Sequence, residues 1–454
     1  MDFRRVARGA AWAAAAVAIL IVGLWLVVVA INRRDEAPSA DALRLERVIA
    51  GRPAVDHAAN AYVLLLGLGV DKDEDSFAWG VRRMAFLEAS SAGTAASGGA
   101  AFPGTDVDID ARRSEFAGRM VDTCRQADRG CWLLLRQHPE QLEGWLQSEA
   151  WLLERYRGLI ALRQWRESIP TQSDATFAPY MPAMEGQRLL LMKAFRHARL
   201  KDAVAARDLL QADLEFWRMV LRSSDILVSK MIATAAIQRH FAMGNLVLRE
   251  LGEGGVDATP PAAWGMPFDR GERSMLRAYA GEWRFFSSSV VDATLREEGP
   301  REALSRHLFG PLLKPVATSN LFAANMVRLI EGVDVAWTDL PAAAHTLALQ
   351  PDEGLPSAYN PVGDILSRVG YPAYLPYALR VSDLEGTRRA TLLAIALRNE
   401  GRTNRTASAL AKAISDSPLK EPYRDEPFAW DEATGSIVFQ GLAPHPRGRS
   451  VVLL

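Results

Sequence analysis

An uninterrupted apolar stretch lies near the N-terminus of the chain. Residues 9–31 carry no charged side chain and consist only of Ala, Val, Ile, Leu, Trp and Gly. At about 1.5 Å per residue, a helix of this length crosses a hydrocarbon core of roughly 30 Å. Trp12 and Trp25 lie towards the two ends of the stretch, where indole rings favour the lipid–water boundary. We therefore predict one transmembrane helix over residues 9–31, with the lipid bilayer as its partner.

The charges beside this stretch predict its orientation. Three arginines precede it within residues 1–8, whereas Arg33 and Arg34 follow it together with Asp35 and Glu36. This small bias favours a cytoplasmic segment 1–8 and export of everything after the helix. A cleaved signal peptide is the alternative, because residues 28–30 (Val-Val-Ala) offer a plausible cleavage spacing. An uncleaved anchor is favoured because the apolar stretch exceeds the usual signal-peptide core of about 7–15 residues.

Apolar residues at helical spacing dominate the exported part. They predict one helix from Leu142 to Ile160, a second around residues 191–198 and a third around residues 210–221. A fourth helix is expected to begin near Ser224 and Asp225, which are favourable N-cap residues, and to end at Gly252. The short connections predict that consecutive helices pack antiparallel.

Further helical stretches are expected near residues 270–297, 318–332, 362–369 and 383–400, separated by prolines. Alternating β-type residues appear only at 427–430 and 436–440, around a polar turn, and predict one hairpin. The fold class is therefore mainly α: a transmembrane helix, an irregular antiparallel helical array and a small C-terminal β-hairpin.

Two segments rich in Gly, Ala, Ser or Pro suggest linkers. The predicted organisation is 1–8 cytoplasmic, 9–31 transmembrane, 32–105 short helical region with a Gly/Ala/Ser-rich linker, 106–251 central helical block, 252–267 linker, 268–416 C-terminal helical block and 417–454 tail with the hairpin.

Four segments accompany the N-terminal anchor in a recognisable combination. They are LLERYRGLIAL (152–162), PVATSN (315–320), YNPVGDIL (359–366) and LKEPYRDEPFAWDEATGSIVFQ (419–440). The combination resembles a set of membrane-anchored, mainly helical envelope proteins of Gram-negative bacteria that are themselves uncharacterised. The resemblance implies a bacterial inner-membrane protein with the bulk of its chain in the periplasm, and it implies no activity.

Composition narrows the possible functions. The chain of 454 residues is 49% hydrophobic and 24% charged, and its formal net charge is -1. This composition is typical of a globular protein, and the lack of excess positive charge argues against nucleic acid as a partner. Two cysteines are too few for a disulfide framework or a four-cysteine zinc module.

Cys124 and Cys131 are the candidates for a disulfide bond. Their C-x6-C spacing differs from the C-x-x-C of redox motifs. On one unbroken helix they would lie roughly 10 Å apart along the axis, which is too far for a bond. The polar segment 125–130 ends in Gly and predicts a helix break there. A structural disulfide in an oxidising periplasm is favoured. Free buried thiols and a catalytic role are the alternatives.

Glu149 and Asp213 are candidate buried polar sites, because each falls on an apolar helix face. A buried carboxylate must be paired or hydrogen bonded, and such sites are sometimes functional. Arginine outnumbers lysine 46 to 7 and suits carboxylate pairing between helices, so structural ion pairs are the favoured interpretation. A polar binding groove and acid–base catalysis are the alternatives.

The sequence does not match the known motifs of catalytic or metal-binding sites that its acidic clusters and histidines suggest. The acidic clusters 71–75 and 106–110 lack the glycine and glutamate of a calcium loop. The seven histidines are scattered, and His240 is expected to be a packed or partly exposed side chain. We predict no catalytic residue, no cofactor and no metal site. The leading hypothesis is a non-catalytic protein whose exported domain binds an envelope protein. A periplasmic hydrolase with carboxylates in a helical cleft is the alternative.

Overall fold

The N-terminal helix projects from the rest of the described structure. The computed structural model describes residues 3–91, 102–172, 174–295, 310–349, 357–401 and 406–454. Helix α1 spans Phe3–Ile31, and its apolar stretch Gly9–Ile31 is long and apolar enough to cross a membrane. The most apolar part of this stretch is not buried against the domain. Most of the predicted Gly/Ala/Ser-rich linker, residues 92–101, lies outside the described residues.

Short helices follow α1 along the chain. Asp, Asn or Ser side chains at several N-caps accept hydrogen bonds from the first turn, as Ser39, Asn60 and Asp128 do. The helices are α2 (Ala40–Ala50), α3 (Ala61–Leu66), α4 (Ser76–Ser91), α5 (Ile109–Arg112), α6 (Glu115–Thr123), α7 (Arg129–Gln137), α8 (Pro139–Ser148) and α9 (Ala150–Ala161).

The prediction of one helix from Leu142 to Ile160 is wrong. Helix α8 ends at Ser148 and α9 begins at Ala150, so the helix is interrupted at Glu149. The two helices contact each other and together bury the predicted apolar residues, among them Leu142 and Tyr156. The apolar stripe was identified correctly, and the break within it was missed because no Gly or Pro marks it.

Three long helices form the centre of the domain: α10 (Met181–Arg199), α11 (Ala203–Ser223) and α12 (Leu227–Glu253). They contact one another and bury Phe195, Trp217 and Phe241 completely. The prediction that Ser224 or Asp225 caps α12 is wrong, because the cap residue is Ile226 and no side chain caps the helix. The Ser224 hydroxyl instead donates to the carbonyl of Val220.

The second half is also helical. Its helices include two that were not predicted, at residues 340–348 and 407–416. They are α13 (Ala262–Gly265), α14 (Arg270–Arg273), α15 (Leu276–Leu295), α16 (Pro315–Val333), α17 (Leu340–Ala348), α18 (Pro361–Gly370), α19 (Leu375–Asn399) and α20 (Ala407–Asp416).

The predicted linker 252–267 is packed against both halves of the domain. It contains α13, whose Trp264 is fully buried and whose backbone carbonyl accepts a hydrogen bond from Arg388 of α19. Helices α12 and α19 also contact each other directly. A buried Arg218–Glu272 ion pair, with N–O distance 2.7 Å, adds a further link of the kind that the arginine excess predicts.

A three-stranded antiparallel sheet lies in the C-terminal part of the chain. Strands β1 (Ala429–Asp431) and β2 (Ser436–Gln440) form the predicted hairpin. A third strand that was not predicted, β3 (Arg449–Leu453), pairs with β2. The sheet packs on α19, where Phe439 lies so close to Gly386 that a Cβ there would meet the ring at 2.1 Å. Only glycine allows this approach.

Asp383 of α19 binds the loop between β2 and β3. Its carboxylate accepts hydrogen bonds from the Tyr423 hydroxyl at 2.7 Å, from the amide of Leu442 at 2.8 Å and from the amide of Ala443 at 3.0 Å. Burial raises the pKa of Asp383 to about 6, although these donors act against the rise.

Candidate functional site: a charged cleft beside Glu167

A cleft of about 350 Å³ opens where α2, α4, α15 and the segment 162–172 meet. Its lining combines three carboxylates, three guanidinium groups and three hydroxyls. These are Glu46, Glu88, Glu167, Arg52, Arg166, Arg284, Ser91, Ser168 and Thr171. The volume is at the lower end of the roughly 300–1,000 Å³ of small-molecule pockets. We call this feature the charged cleft.

Glu167 forms the buried part of the charged cleft. Only 1% of the residue is exposed. Its carboxylate accepts hydrogen bonds from the indole of Trp165 and from the backbone amides of Asp225 (3.1 Å) and Ile226 (2.9 Å). Burial raises the pKa of Glu167, and the neighbouring carboxylate of Asp225 raises it further. The hydrogen-bond donors oppose that rise because they favour the ionised form.

Asp225 lies directly behind Glu167 and is neutralised by two arginines. Its side chain is 2% exposed. One oxygen accepts from Arg52 at 3.0 Å, and the other accepts from Arg277 at 2.8 and 3.0 Å. Both buried carboxyl groups therefore have their oxygens occupied by donors from the protein itself, which is the usual requirement for a buried polar group.

The rim of the charged cleft carries accessible charges. Arg284 and Glu46 form an ion pair at 3.2 Å, and both side chains are 44% exposed. Glu88 on α4 is also exposed. Arg166 donates to the backbone carbonyls of Arg52 and Pro53. Burial and the adjacent Arg52 lower the pKa of Arg166. An exposed ion pair contributes little to stability, so the rim is free to exchange partners with a ligand.

Hydroxyl groups join the end of α4 to the segment that forms another wall. The Ser91 and Ser168 hydroxyl oxygens are 3.0 Å apart, and Ser91 donates to the carbonyl of Ile169 at 2.9 Å. Thr171 donates to the carbonyl of Ser91 at 2.9 Å. These bonds hold the wall in place and leave hydroxyl oxygens able to accept hydrogen bonds at the surface of the cleft.

The arrangement is suited to recognition of charged groups. Arginines bind carboxylates in a fixed planar geometry, and the glutamates can bind cationic groups. Within the part of the chain that the structure describes, no three His, Cys, Asp or Glu side chains are placed to hold a metal ion.

Asp213, the first predicted buried acid, lies away from solvent in a hydrogen-bonded network of side chains. Its carboxylate accepts from the Tyr156 hydroxyl at 2.6 Å and from Gln187 at 3.1 Å, and it lies 2.7 Å from Nδ1 of His240. Asp213 and His240 are both fully buried. The charged partner of Asp213 is therefore a histidine rather than the expected arginine. The sequence pattern predicts that His240 is either packed or partly exposed, and the structure shows it packed.

Glu149, the second predicted buried acid, does not lie on a buried helix face. It sits at the junction of α8 and α9 and is partly exposed. The Trp151 indole donates to it at 3.0 Å. Burial raises its pKa, while Trp151 and Arg112 lower it and Glu185 raises it. Glu149 and Asp213 share no hydrogen bond.

Cys124 and Cys131 form a disulfide in the structure, with Cα atoms 4.7 Å apart. Helix α6 ends at Thr123 and α7 begins at Arg129. The helical structure is therefore interrupted between the cysteines, where the polar segment predicts a helix break. Cys131 is fully buried, while Cys124 is partly buried.

No sequence motif indicates the charged cleft. Its principal residues, Arg52, Glu167 and Asp225, are far apart along the chain and match no motif. The sequence pattern predicts a helix cap at Asp225, because Ser-Asp before an apolar stretch is typical of a helix N-terminus. A buried acid in the irregular segment after Trp165 could have been suspected only from its apolar neighbours.

Comparison with protein-family models, with curated proteins and with solved structures finds no match to this chain. Its function is therefore inferred from the charged cleft and from the apolar helix α1.

Proposed function

We propose that the protein is a single-pass inner-membrane protein whose periplasmic domain binds a segment of an envelope protein in the charged cleft. The observation that carries this proposal is the accessible rim, where Arg284, Glu46 and Glu88 surround a cavity of about 350 Å³. A cavity of this size admits one or two side chains of a partner, and the rim offers both signs of charge to the residues around them. Complementary charges favour specificity and association rate more than affinity.

The sequence of α1 supports anchoring in the membrane. Its apolar stretch is exposed along the part that would contact lipid. The arginines within residues 1–8 favour retention of that end in the cytoplasm, which directs the domain to the periplasm. The resemblance of four segments to Gram-negative envelope proteins agrees with this location.

The hydrogen bonds within the cleft favour binding over catalysis. A general acid or base must exchange a proton with its substrate, so it needs an oxygen within reach. Both oxygens of Glu167 already accept hydrogen bonds from the protein, and Asp225 is held by two arginines. Releasing either carboxylate would leave buried donors without partners, which costs about 1–3 kcal/mol for each.

One observation favours a periplasmic hydrolase as the second candidate. Burial and the neighbouring Asp225 raise the pKa of Glu167, as in carboxyl groups that act as general acids. A hydrolase of this kind should release soluble products from isolated envelope material, and the Glu167→Gln variant should release none. Equal release by both proteins would exclude Glu167 as the acid.

The binding proposal can be tested by photo-crosslinking in intact cells. A photoreactive residue in place of Glu88 would lie at the rim of the cleft, and one in place of Glu154 would lie on α9, with that side chain 76% exposed. We expect a defined protein adduct from position 88 and none from position 154. The adduct should weaken strongly when Arg284→Glu reverses a rim charge, and should persist with Arg424→Glu, whose side chain is 66% exposed elsewhere.

Identical adducts from positions 88 and 154, or an adduct from position 88 that is insensitive to Arg284→Glu, would mean that the charged cleft does not recognise the captured protein. Circular dichroism of each variant would verify that the fold is retained.

A further inference from the structure

The domain holds the end of α1 without a flexible connection. Asn32, the residue after α1, is only 2% exposed. Its amide nitrogen donates to the carbonyl of Ala358 at 2.8 Å, and its amide oxygen accepts from the backbone of Asn360 at 2.7 Å. These bonds join positions more than 320 residues apart in sequence. The direction in which α1 leaves the domain is therefore fixed.

The next residues cap a helix of the domain. The carboxylate of Asp35 accepts hydrogen bonds from the backbone amides of Val316 (2.9 Å) and Ala317 (3.0 Å), in the first turn of α16. A carboxylate at a helix N-terminus satisfies free amides and interacts favourably with the helix dipole. Asn320 of the same helix donates to the carbonyl of Ala37 and accepts from the amide of Ser39.

Part of the domain also lies beside the last turns of α1. The 3-10 turn Gly310–Leu312 contacts α1. Trp25, Val28 and Val29 are partly covered, whereas their neighbours on α1 are exposed. Trp25 lies about 9 Å along the helix before Ile31, because each residue adds about 1.5 Å. If α1 spans the membrane, this turn lies at the depth of the outer end of the span.

Two exposed apolar side chains lie on the helix that begins next to this junction. Helix α18 starts directly after Asn360, the residue bonded to Asn32. Five and six residues after Asn360, Ile365 and Leu366 are 48% and 40% exposed. The helix is amphipathic, with Asp364 and Arg368 paired at 3.0 Å on another part of its surface. Amphipathic helices of this kind bind with their apolar face in the boundary between headgroups and acyl chains.

We infer that the domain is seated in the outer leaflet of the bilayer, with Ile365, Leu366 and the turn Gly310–Leu312 in contact with lipid. The inference rests on the proposed anchoring by α1. Lipid is the occupant because the fixed junction at Asn32 and Asp35 holds this surface beside the end of the span. Burial of the two side chains among lipid removes an apolar surface from water.

The test uses the full-length protein in lipid nanodiscs, with a nitroxide attached to a cysteine introduced by Ile365→Cys or Leu366→Cys. The matched control is Leu200→Cys, because Leu200 is also apolar and is 63% exposed in the connection between α10 and α11. Electron paramagnetic resonance then measures collisions with oxygen, which concentrates in lipid, and with a water-soluble nickel chelate. We expect the chelate to reach positions 365 and 366 at least about threefold less than position 200, and oxygen to reach them more, because the lipid boundary excludes the chelate.

Two results would overturn the inference while leaving the anchor intact. Chelate access at positions 365 and 366 equal to that at position 200 would place the surface in water. Low access of both oxygen and chelate would mean that protein, not lipid, covers the surface. Loss of the protein from the nanodisc is a distinct outcome, because it would disprove the anchoring by α1 and the seating together.

Discussion

His240 Nδ1 lies 2.7 Å from Asp213 Oδ2, and both side chains are completely buried between α11 and α12. The indole of Trp264 donates to Nε2 of the same histidine at 2.8 Å. An indole N–H can only donate, so Nε2 is an acceptor and the proton resides on Nδ1, which donates to Asp213. The network thereby fixes the tautomer of His240 and connects α13 to α11 through it.

Removal of the Asp213 carboxylate should destabilise the protein. Asp213→Ala leaves Tyr156, Gln187 and His240 without a buried acceptor, so we expect a loss of about 3–5 kcal/mol. Urea denaturation of the detergent-solubilised chain, followed by tryptophan fluorescence, measures the change. Asp208→Ala on the exposed face of the same helix is the control and should change stability by less than about 0.5 kcal/mol. Similar losses in both variants would refute a structural role specific to the network.

The cysteine pair should be oxidised in protein isolated from the envelope. Mass spectrometry under non-reducing conditions should find Cys124 linked to Cys131, because the proposed export would bring the domain into an oxidising compartment. The double Cys→Ser variant should lose about 2–3 kcal/mol through the added freedom of its unfolded chain. Recovery of both cysteines as alkylated thiols would contradict this prediction.

The attachment of the sheet to α19 should depend on pH. The pKa of Asp383 is raised from 3.8 to about 6, so between these values the folded state binds more protons than the unfolded state. Its contribution to stability is present below about pH 3.8 and is lost as pH rises through about 6.

The variant Asp383→Asn isolates this effect. Between about pH 4 and pH 7, the unfolding free energy of the wild type relative to that of the variant should fall by about 2–3 kcal/mol. One pKa unit corresponds to about 1.4 kcal/mol. Unfolding free energies measured at several pH values give the difference. A difference that is constant with pH would disprove the assignment.

Reporter fusions test the orientation of the chain. A reporter that is active only in the periplasm should be active when fused after residue 60, because the proposed topology has the arginines before residues 9–31 inside and the rest of the chain exported. Activity of a cytoplasm-only reporter at that position would reverse the topology. Recovery of a soluble chain that begins after Ala30 would instead identify a cleaved signal peptide.

The periodicity of apolar residues predicted the helical class because long amphipathic helices repeat one signal many times, as α10 and α11 do. Local geometry was harder to predict. The break at Glu149 interrupts a continuous apolar stripe, and no residue there forbids a helix. Strand β3 is as short as β2, but residues 441–448 separate the two strands, so no short polar turn marks β3 as the partner of β2.

Prediction of the candidate site was limited by a different cause. The sequence does not identify Glu167 as a buried site residue, because its hydrogen-bond donors come from a distant part of the chain. These donors include the backbone amides of Asp225 and Ile226, next to the start of α12. Asp213 was recognised because helical spacing alone places it among apolar residues. Sequence patterns reveal burial within one element, whereas they do not reveal which elements meet.

The bonds from Asn32 and Asp35 to the domain have a consequence for encounters in the envelope. If α1 anchors the chain in a bilayer, as we propose, attachment without a hinge restricts tumbling, and the charged cleft would face one direction at one height above the lipid. A flexible tether would let the domain sweep a large volume, whereas a stiff one allows capture only when the geometry of both partners matches. Proteins that diffuse laterally in the same membrane and expose their segment at that height would meet the cleft most often.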